Sequence, residues 1–302
     1  MWWMLVACVE DDKGFPVVME EAEDENEDQT ENEDAPDTAV PSDSDDAEEL
    51  SSEVCDDAYL LELSYVDLSA NIWRYDLATQ AIVELGTPTC SFNVSGDYMI
   101  AMTADSKGQL WMLSRYGDIY MVVPANLHCT YTGINFLVSG QFSPQGLAFM
   151  REGPESPDVL FVSGVSEVDL QAYLGVQNGN GVGIIGAIDG IAGAGNNIID
   201  LAGTADGRLF GLRPSGTQSA LTEITPGDAS PVTEWMLDIP APNGWSFVAL
   251  FGEFWTFTSE SGANTQVHWF DPETETLSHR DSLPFQTVGA ALPTCAPESS
   301  GS

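Results

Sequence analysis

Histidines are the first candidates for chemistry, because imidazole supplies general acids, general bases and metal ligands at neutral pH. The chain has three: His128 stands beside a cysteine, His268 lies in an alternating strand pattern, and His279 lies in a segment predicted to be an outermost strand. No two of them have the spacing of metal ligands. The histidines therefore predict no catalytic residue, no metal site and no cofactor.

Asp105 and Asp206 resemble a carboxylate pair, because they stand at matching positions of two similar segments. Each lies just ahead of a glycine, where aspartate commonly stabilises a turn by accepting hydrogen bonds from its own backbone. Turn formation is therefore the favoured interpretation of both, and of Asp76 and Asp271, which precede threonines by three residues.

Other residue types give weaker signals for a site. The glycine-rich segments 179–186 and 190–195 lack the Lys-Ser/Thr ending of phosphate-binding loops, and Ser139 and Ser246 lack a nucleophile-elbow context. Four arginines are candidate anion anchors in an acidic chain, with surface charge balance as the favoured alternative: Arg115, Arg151, Arg208 and Arg213. Trp73, Trp111, Trp255 and Trp269 recur at matching positions, which predicts packing between blades, with stacking on sugars at the ring face as the alternative for some of them.

The five cysteines indicate an exported protein. Leu5-Val6-Ala7-Cys8 resembles the bacterial lipobox, in which the cysteine is lipidated, so residues 1–8 are interpreted as the remnant of a lipoprotein signal. The short apolar run without a basic residue departs from that pattern and suggests a true start further upstream, with a chance match as the alternative. The other four cysteines allow three disulfide pairings.

Two hairpins that occur twice predict the architecture. Residues 72–80, IWRYDLATQ, correspond to residues 267–275, VHWFDPETE; residues 103–111, TADSKGQLW, correspond to residues 204–210, TADGRLF. Recurring hairpins with short alternating strands are typical of an all-β β-propeller. The strands fall into units of about 40 to 50 residues, which predicts five blades, or six if the irregular third unit, with a long insertion around 167–180, contains another.

Closure of the ring follows from the strand count. The first unit has three strands, while residues 286–292 form a strand at the end of the chain without a unit, so this C-terminal strand is predicted to join the first blade as its innermost strand. Cys55 and Cys295 would then face each other, and Cys90 would pair with Cys129 at the outer ends of adjacent blades.

Charge excludes several classes of partner. The chain has 48 acidic and eight basic residues, a formal net charge of −40. A nucleic acid requires a basic footprint, so we expect no nucleic-acid partner, and membrane contact only through the lipid anchor. Residues 9–57 hold 22 of the acids and no apolar periodicity, which predicts a disordered acidic linker. The propeller is assigned to residues 58–297 and a flexible tail to residues 298–302.

Several of these motifs together resemble an uncharacterised family of exported β-propeller lipoproteins from myxobacteria and related bacteria. The motifs are the Asp76-to-Thr79 turn, the Ala104-to-Trp111 hairpin, Cys129-Thr130 and the terminal Thr294-Cys295-Ala296-Pro297. The resemblance covers most of residues 59–297, and only the cysteine-containing pieces are specific. It implies export and the propeller fold, and it implies no activity.

The leading functional hypothesis is a monomeric binding or scaffolding module, anchored at the outer membrane or cell surface, with the periplasm as the alternative location. Its partner would be an extracellular protein, a polysaccharide or a small molecule. The competing hypotheses are a propeller hydrolase or lyase and a purely structural envelope component. An enzyme should show convergent carboxylates or a histidine in the central funnel with shifted pKa values, whereas a binding module should show an aromatic and polar patch on one ring face.

Overall fold

The computed structural model describes residues 57–64, 67–138, 142–188, 198–260 and 264–294. The predictions for Cys8, Cys55, Cys295, the signal remnant, residues 9–56 of the linker and the tail at 298–302 lie outside these residues. Every regular element within the described ranges is a β-strand, and none of them contains a helix that could cross a membrane.

Twenty strands form five four-stranded antiparallel sheets in the described residues. From the innermost strand outward, blade 1 contains β20 (Thr287–Ala291), β1 (Asp57–Leu63), β2 (Ala70–Asp76) and β3 (Ile82–Gly86). Blade 2 contains β4 (Met99–Ala104), β5 (Leu110–Ser114), β6 (Asp118–Val123) and β7 (His128–Asn135). Blade 3 contains β8 (Ser143–Met150), β9 (Val159–Val165), β10 (Ala172–Asn178) and β11 (Gly181–Ala187).

Blade 4 contains β12 (Asp200–Gly203), β13 (Leu209–Ser215), β14 (Gln218–Ile224) and β15 (Pro231–Pro240). Blade 5 contains β16 (Gly244–Leu250), β17 (Glu253–Ser259), β18 (Thr265–Asp271) and β19 (Thr276–Leu283). The innermost strands contact one another in the cyclic order β20, β4, β8, β12 and β16, so the sheets form a closed ring. The predicted five-bladed propeller is confirmed, and the described residues contain no sixth sheet.

Five clusters of buried apolar side chains hold the described ring together, each between two neighbouring blades. Between blades 3 and 4, for example, Phe161 and Leu174 pack with Leu201 and Leu209. The clusters arise because alternate residues of each strand face opposite sides of its sheet, and both sides of a blade face another blade. Burial of these side chains between sheets is the main favourable contribution to the fold.

The ring closes as predicted at blade 1. The C-terminal strand β20 pairs antiparallel with β1, with Tyr59 opposite Ala291 and Leu60 opposite Ala290. The two cysteines of the predicted Cys55–Cys295 disulfide stand four residues before Tyr59 and four residues after Ala291 in the sequence. That disulfide lies outside the described residues and stays a prediction, which non-reducing peptide mapping can check.

The predicted Cys90–Cys129 disulfide is confirmed, with 4.8 Å between the two Cα atoms. Cys129 lies in β7, the outermost strand of blade 2, and Cys90 lies in the connection that leaves β3 of blade 1. Next to it, the amide of Thr89 donates a hydrogen bond of 3.1 Å to the carbonyl oxygen of Leu127. The disulfide therefore links blades 1 and 2 at the outer rim of the ring.

The insertion predicted around residues 167–180 is wrong, because Ala172–Asn178 forms β10, the third strand of blade 3. The turn before it, Ser166–Leu170, has the sequence SEVDL, which corresponds to SYVDL at residues 64–68 of blade 1. Leu170 and Leu68 both have a positive φ. The amide of Leu170 donates a hydrogen bond to the carbonyl oxygen of Ser166, and the amide of Leu68 donates one to that of Ser64. Polar residues and glycine around a short apolar alternation obscured this strand in the sequence.

The inner strands approach one another closely at positions that lack a side chain. A Cβ atom on Gly203 of β12 would overlap the carbonyl oxygen of Phe149 in β8, and one on Gly289 of β20 would lie 2.9 Å from the amide nitrogen of Met102 in β4. A methyl group at either position requires the neighbouring strand to move. Glycine is therefore required where two adjacent inner strands come together.

We expect Gly203→Ala to lower the free energy of unfolding by about 1–3 kcal/mol, the usual cost of overpacking a well-packed core. The matched control is Gly227→Ala, because no atom lies within 4 Å of an added Cβ there and its φ is not positive. Urea unfolding of the full chain measures both. Equal unfolding midpoints for the two variants would show that the inner strands are not closely packed at Gly203.

Candidate functional site

A cavity of about 310 Å³ lies at the end of the ring axis where the inner strands begin. All five inner strands contribute to it, with Ile100 from β4, Gln145 from β8, Asp200 from β12, Trp245 from β16 and Val288 from β20. We call this cavity the funnel. Its lining residues are Leu63, Tyr98, Ile100, Gln145, Ile198, Asp200, Asn243, Gly244, Trp245 and Val288.

Further along the axis, the inner strands leave a space of only about 10 Å³, roughly the room for one water molecule. Side chains such as Phe149, Leu201 and Phe247 line this space. Small residues such as Ala202, Gly203 and Ala290 also line this space and let the inner strands lie close together. The starts of the same strands lie further apart, around the funnel. A small molecule would therefore enter and leave the funnel by the same face of the ring.

Asp200, the first residue of β12, is the one carboxyl group among the described residues that line the funnel. It is 6 % exposed, and the backbone amides of Leu201 and Phe247 lie near its carboxyl group, where they partly offset the effect of burial on its pKa. Its Oδ2 atom is buried without a hydrogen-bond partner. Burial raises the pKa of Asp200 well above its usual value, because a charged carboxylate is poorly solvated at this position.

Asp200 is unusual because an acid stands inside an apolar strand. Ile198 and Ile199 precede it, and Leu201 and Ala202 follow it. A buried carboxyl with an unused oxygen destabilises the folded state, and groups of this kind concentrate at functional sites. Asp200 was not among the predicted site residues, although a charged residue inside an apolar run is a signal that could have revealed it.

Aromatic and amide side chains form other parts of the funnel wall. Tyr98 and Trp245 are partly exposed, and Asn243 is exposed. The guanidinium carbon of Arg115 lies 5.6 Å from the centre of the Tyr98 ring, so this ring already interacts with a cation. The described part of the wall therefore combines aromatic, amide and aliphatic groups with one acid.

The arginines considered as anion anchors are engaged elsewhere. Arg208 binds Glu223 through two hydrogen bonds of 2.9 and 3.0 Å, and Arg213 donates a hydrogen bond of 2.6 Å to Glu234. The Nε atom of Arg151 lies 3.8 Å from a carboxylate oxygen of Asp158. These pairs support the charge-balancing interpretation, and none of the four arginines is among the described residues that line the funnel.

Two of the three histidines come together in blade 5. His268 in β18 lies opposite His279 in β19, and their ring centres are 5.4 Å apart. Burial, with a further contribution from His279, lowers the pKa of His268 to about 4. His128 lies apart from this pair, exposed at the start of β7. The described residues contain no group of three or more side chains suited to hold a metal ion.

The predicted turn aspartates occupy turns, as expected. Asp105 accepts hydrogen bonds from the amides of Lys107 and Gln109, and Asp76 accepts them from the amides of Ala78 and Thr79. In the corresponding turn of blade 5, Asp271 accepts hydrogen bonds from the amide of Glu273 and the hydroxyl of Thr274. Asp206 likewise accepts one from the hydroxyl of Thr204.

The recurring tryptophans pack inside the ring rather than in the funnel. Trp111 of blade 2 contacts Phe149 of blade 3 edge to face, and Trp73 stacks on Phe285, which precedes β20. Trp245, the tryptophan that lines the funnel, stands outside the recurring motifs, so repeat matching did not single it out.

Replacing Asp200 by asparagine should raise the free energy of unfolding at pH 8, because asparagine has nearly the same shape and lacks the negative charge that burial disfavours. The pKa of Asp200 is higher in the folded state, so its stabilising contribution is present below the unfolded-state pKa and is lost as the pH rises through the folded-state pKa. The gain should therefore be smaller at pH 4. Urea unfolding at both pH values measures it.

The control for this prediction is Asp228→Asn. Asp228 is exposed, and hydrogen bonds from Ser230 lower its pKa, so its removal should bring no gain at pH 8. An Asp200→Asn variant whose gain is the same at pH 4 and pH 8 would contradict the assignment of Asp200 as a buried group of raised pKa.

Comparison with known proteins finds solved structures of low similarity to this chain. No family model matches it, and no curated protein sequence matches it. A protein of unknown function from Dyadobacter fermentans has 8% identity and a TM-score of 0.48, with 70% of this chain and 71% of that chain covered. A protein of unknown function from Bacteroides caccae has 12% identity and a TM-score of 0.44, with 74% and 73% covered.

A structure described as a nidogen/laminin complex also matches, with 11% identity, a TM-score of 0.42, and 77% of this chain and 84% of that chain covered. Similarities this remote carry no argument about ligand or activity. The chain is therefore described by its architecture, a five-bladed β-propeller with a funnel at one end of its axis.

Proposed function

We propose that this protein is an exported, lipid-anchored binding module whose ligand site is the funnel. The observation that carries the proposal is a cavity of about 310 Å³, built by all five inner strands, with one buried carboxyl whose Oδ2 atom has no partner. Concave sites with an apolar wall and a few polar groups are the usual form of small-molecule sites. The ligand is a small molecule with at least one hydrogen-bond donor.

Attachment at the bacterial surface is the second part of the proposal. It is supported by the lipobox-like sequence that ends at Cys8 and by the acidic residues 10–57 that follow it. An acidic, mutually repelling segment would hold a binding domain away from an anionic membrane surface. Mass spectrometry of the mature protein should find Cys8 carrying acyl chains.

A hydrolase or lyase is the competing function. Hydrolysis of a glycosidic bond normally uses two carboxyl groups on opposite sides of the bond, whereas the described funnel wall supplies Asp200 alone. The mixture of aromatic, amide and aliphatic groups in this wall corresponds better to the pattern expected of a binding module. We therefore propose binding without turnover.

Ligand screening on the full chain tests the proposed site. A panel of neutral sugars, alkylamines, carboxylates and phosphates is added at saturating concentration, and the melting temperature and the fate of each compound are recorded. A ligand present at 100 times its Kd stabilises the folded state by about 2.7 kcal/mol, which raises the melting temperature of a domain this size by several degrees. At least one compound should produce this rise and remain chemically unchanged.

Variants inside and outside the funnel show whether the rise in melting temperature comes from binding in the funnel. Trp245→Ala and Gln145→Ala alter the funnel and should abolish the rise, while Trp269→Ala, in β18 of blade 5, should retain it. A rise that persists in both funnel variants, or a panel without any active compound, would overturn the assignment of the funnel as the site. Conversion of a compound into products would show that the protein is an enzyme rather than a binding module.

A further inference from the structure

The wall of the funnel is better suited to an apolar molecule with one polar end than to a sugar. Four lining residues are aliphatic and two are aromatic. They are Leu63, Ile100, Ile198, Val288, Tyr98 and Trp245. A polyhydroxylated ligand in contact with these side chains would leave several hydroxyl groups without partners, at a cost of about 1–3 kcal/mol each. A compact apolar body can contact them without this cost.

The polar end of such a ligand must satisfy Asp200. Backbone amides of β12 and of the neighbouring strand β16 lie near this carboxyl, while Oδ2 has no hydrogen-bond partner. An ionised carboxylate only accepts hydrogen bonds, and a positive charge beside Asp200 favours its ionised form, so the complementary group of a charged ligand is an N–H donor. A donor that also carries a positive charge forms the stronger bond, because charge-assisted hydrogen bonds are about twice as strong as neutral ones.

Charge favours a cation over the other possibilities. The described funnel wall contains no lysine, arginine or histidine that could bind an anion. Residues 58–302 contain 26 acids and seven arginines and lysines, so the surrounding field attracts cations and repels anions. Arg115, on the ring of Tyr98, shows that an aromatic wall residue accommodates a cation.

We infer that the funnel binds a primary alkylammonium cation with an apolar body, whose N–H groups donate to the carboxyl group of Asp200 while the body contacts the aliphatic and aromatic wall. This inference rests on the proposed function, because it names the ligand class of the same site. Binding of the cation gives the buried carboxyl the charge partner and the hydrogen-bond donor that it lacks in the free protein.

Three compounds with related skeletons test the inference by calorimetric titration of the full chain at pH 8. 2-Phenylethylammonium carries the charge and the donor, 2-phenylethanol carries a neutral donor, and phenylacetate carries a negative charge. The ammonium compound should bind at least tenfold more tightly than the alcohol, and phenylacetate should not bind. D-Glucose, as a representative sugar, should not bind either.

Two carboxyl variants complete the experiment. Asp200→Asn should weaken binding of 2-phenylethylammonium at least tenfold and leave any binding of 2-phenylethanol unchanged. Asp206→Asn, in the turn between β12 and β13, should bind like the wild type.

Equal affinities for the ammonium compound and the alcohol, or preferential binding of glucose or phenylacetate, would overturn the ammonium inference while leaving the funnel as a binding site. If the ammonium compound binds but Asp200→Asn binds it as tightly as the wild type, the role assigned to Asp200 is wrong. If the wider panel described above also contains no compound that binds, the proposed function itself fails.

Discussion

The close approach of five inner strands around one axis is the constraint on which the rest of this structure depends. Five blades form a tight ring only if neighbouring inner strands can pack backbone against backbone. Gly203 and Gly289 supply that contact, because a methyl group at either position would meet the next strand. Further along the axis, residues of the inner strands that include Gly203 surround a space of about 10 Å³. The strands diverge at their starts and pack tightly further along the axis, so the space between them narrows like a funnel.

The funnel links this packing to function. Each inner strand contributes a side chain at its start, so the site exists only when all five blades are in place. Asp200 lies near the backbone amides of Leu201 in β12 and Phe247 in β16, so its surroundings depend on the contact between blades 4 and 5. A buried acid that reduces stability at neutral pH is more readily explained by ligand binding than by folding.

The fold could be predicted largely from the sequence, because hairpins recur and because their turns follow simple chemistry. Asp76 and Asp271 organise equivalent turns, and residues 286–292 had no unit to join except the first. The strand Ala172–Asn178 was missed, because glycine and polar residues interrupt its apolar alternation. Matching SEVDL at residues 166–170 with SYVDL at residues 64–68 would have placed a strand after that turn, as in blade 1.

The site was much less predictable than the fold. Asp200, Trp245 and Tyr98 are far apart in the sequence, and they meet only because five strand starts converge on one axis. The cross-strand contact of His268 and His279 depends on a register with a bulge after Val267, which spacing along the chain does not reveal. Long-range convergence of this kind is set by ring geometry rather than by any local pattern.

Closure of the ring by the C-terminal strand can be measured directly by hydrogen exchange of the full chain. If β20 completes blade 1, the amides of Thr287–Ala291 should exchange as slowly as those of β16, the next inner strand in the ring, because both strands open only when the ring opens. Exchange of residues 287–291 at the rate of an unstructured peptide, while β16 stays protected, would contradict the closed ring and the funnel that it forms.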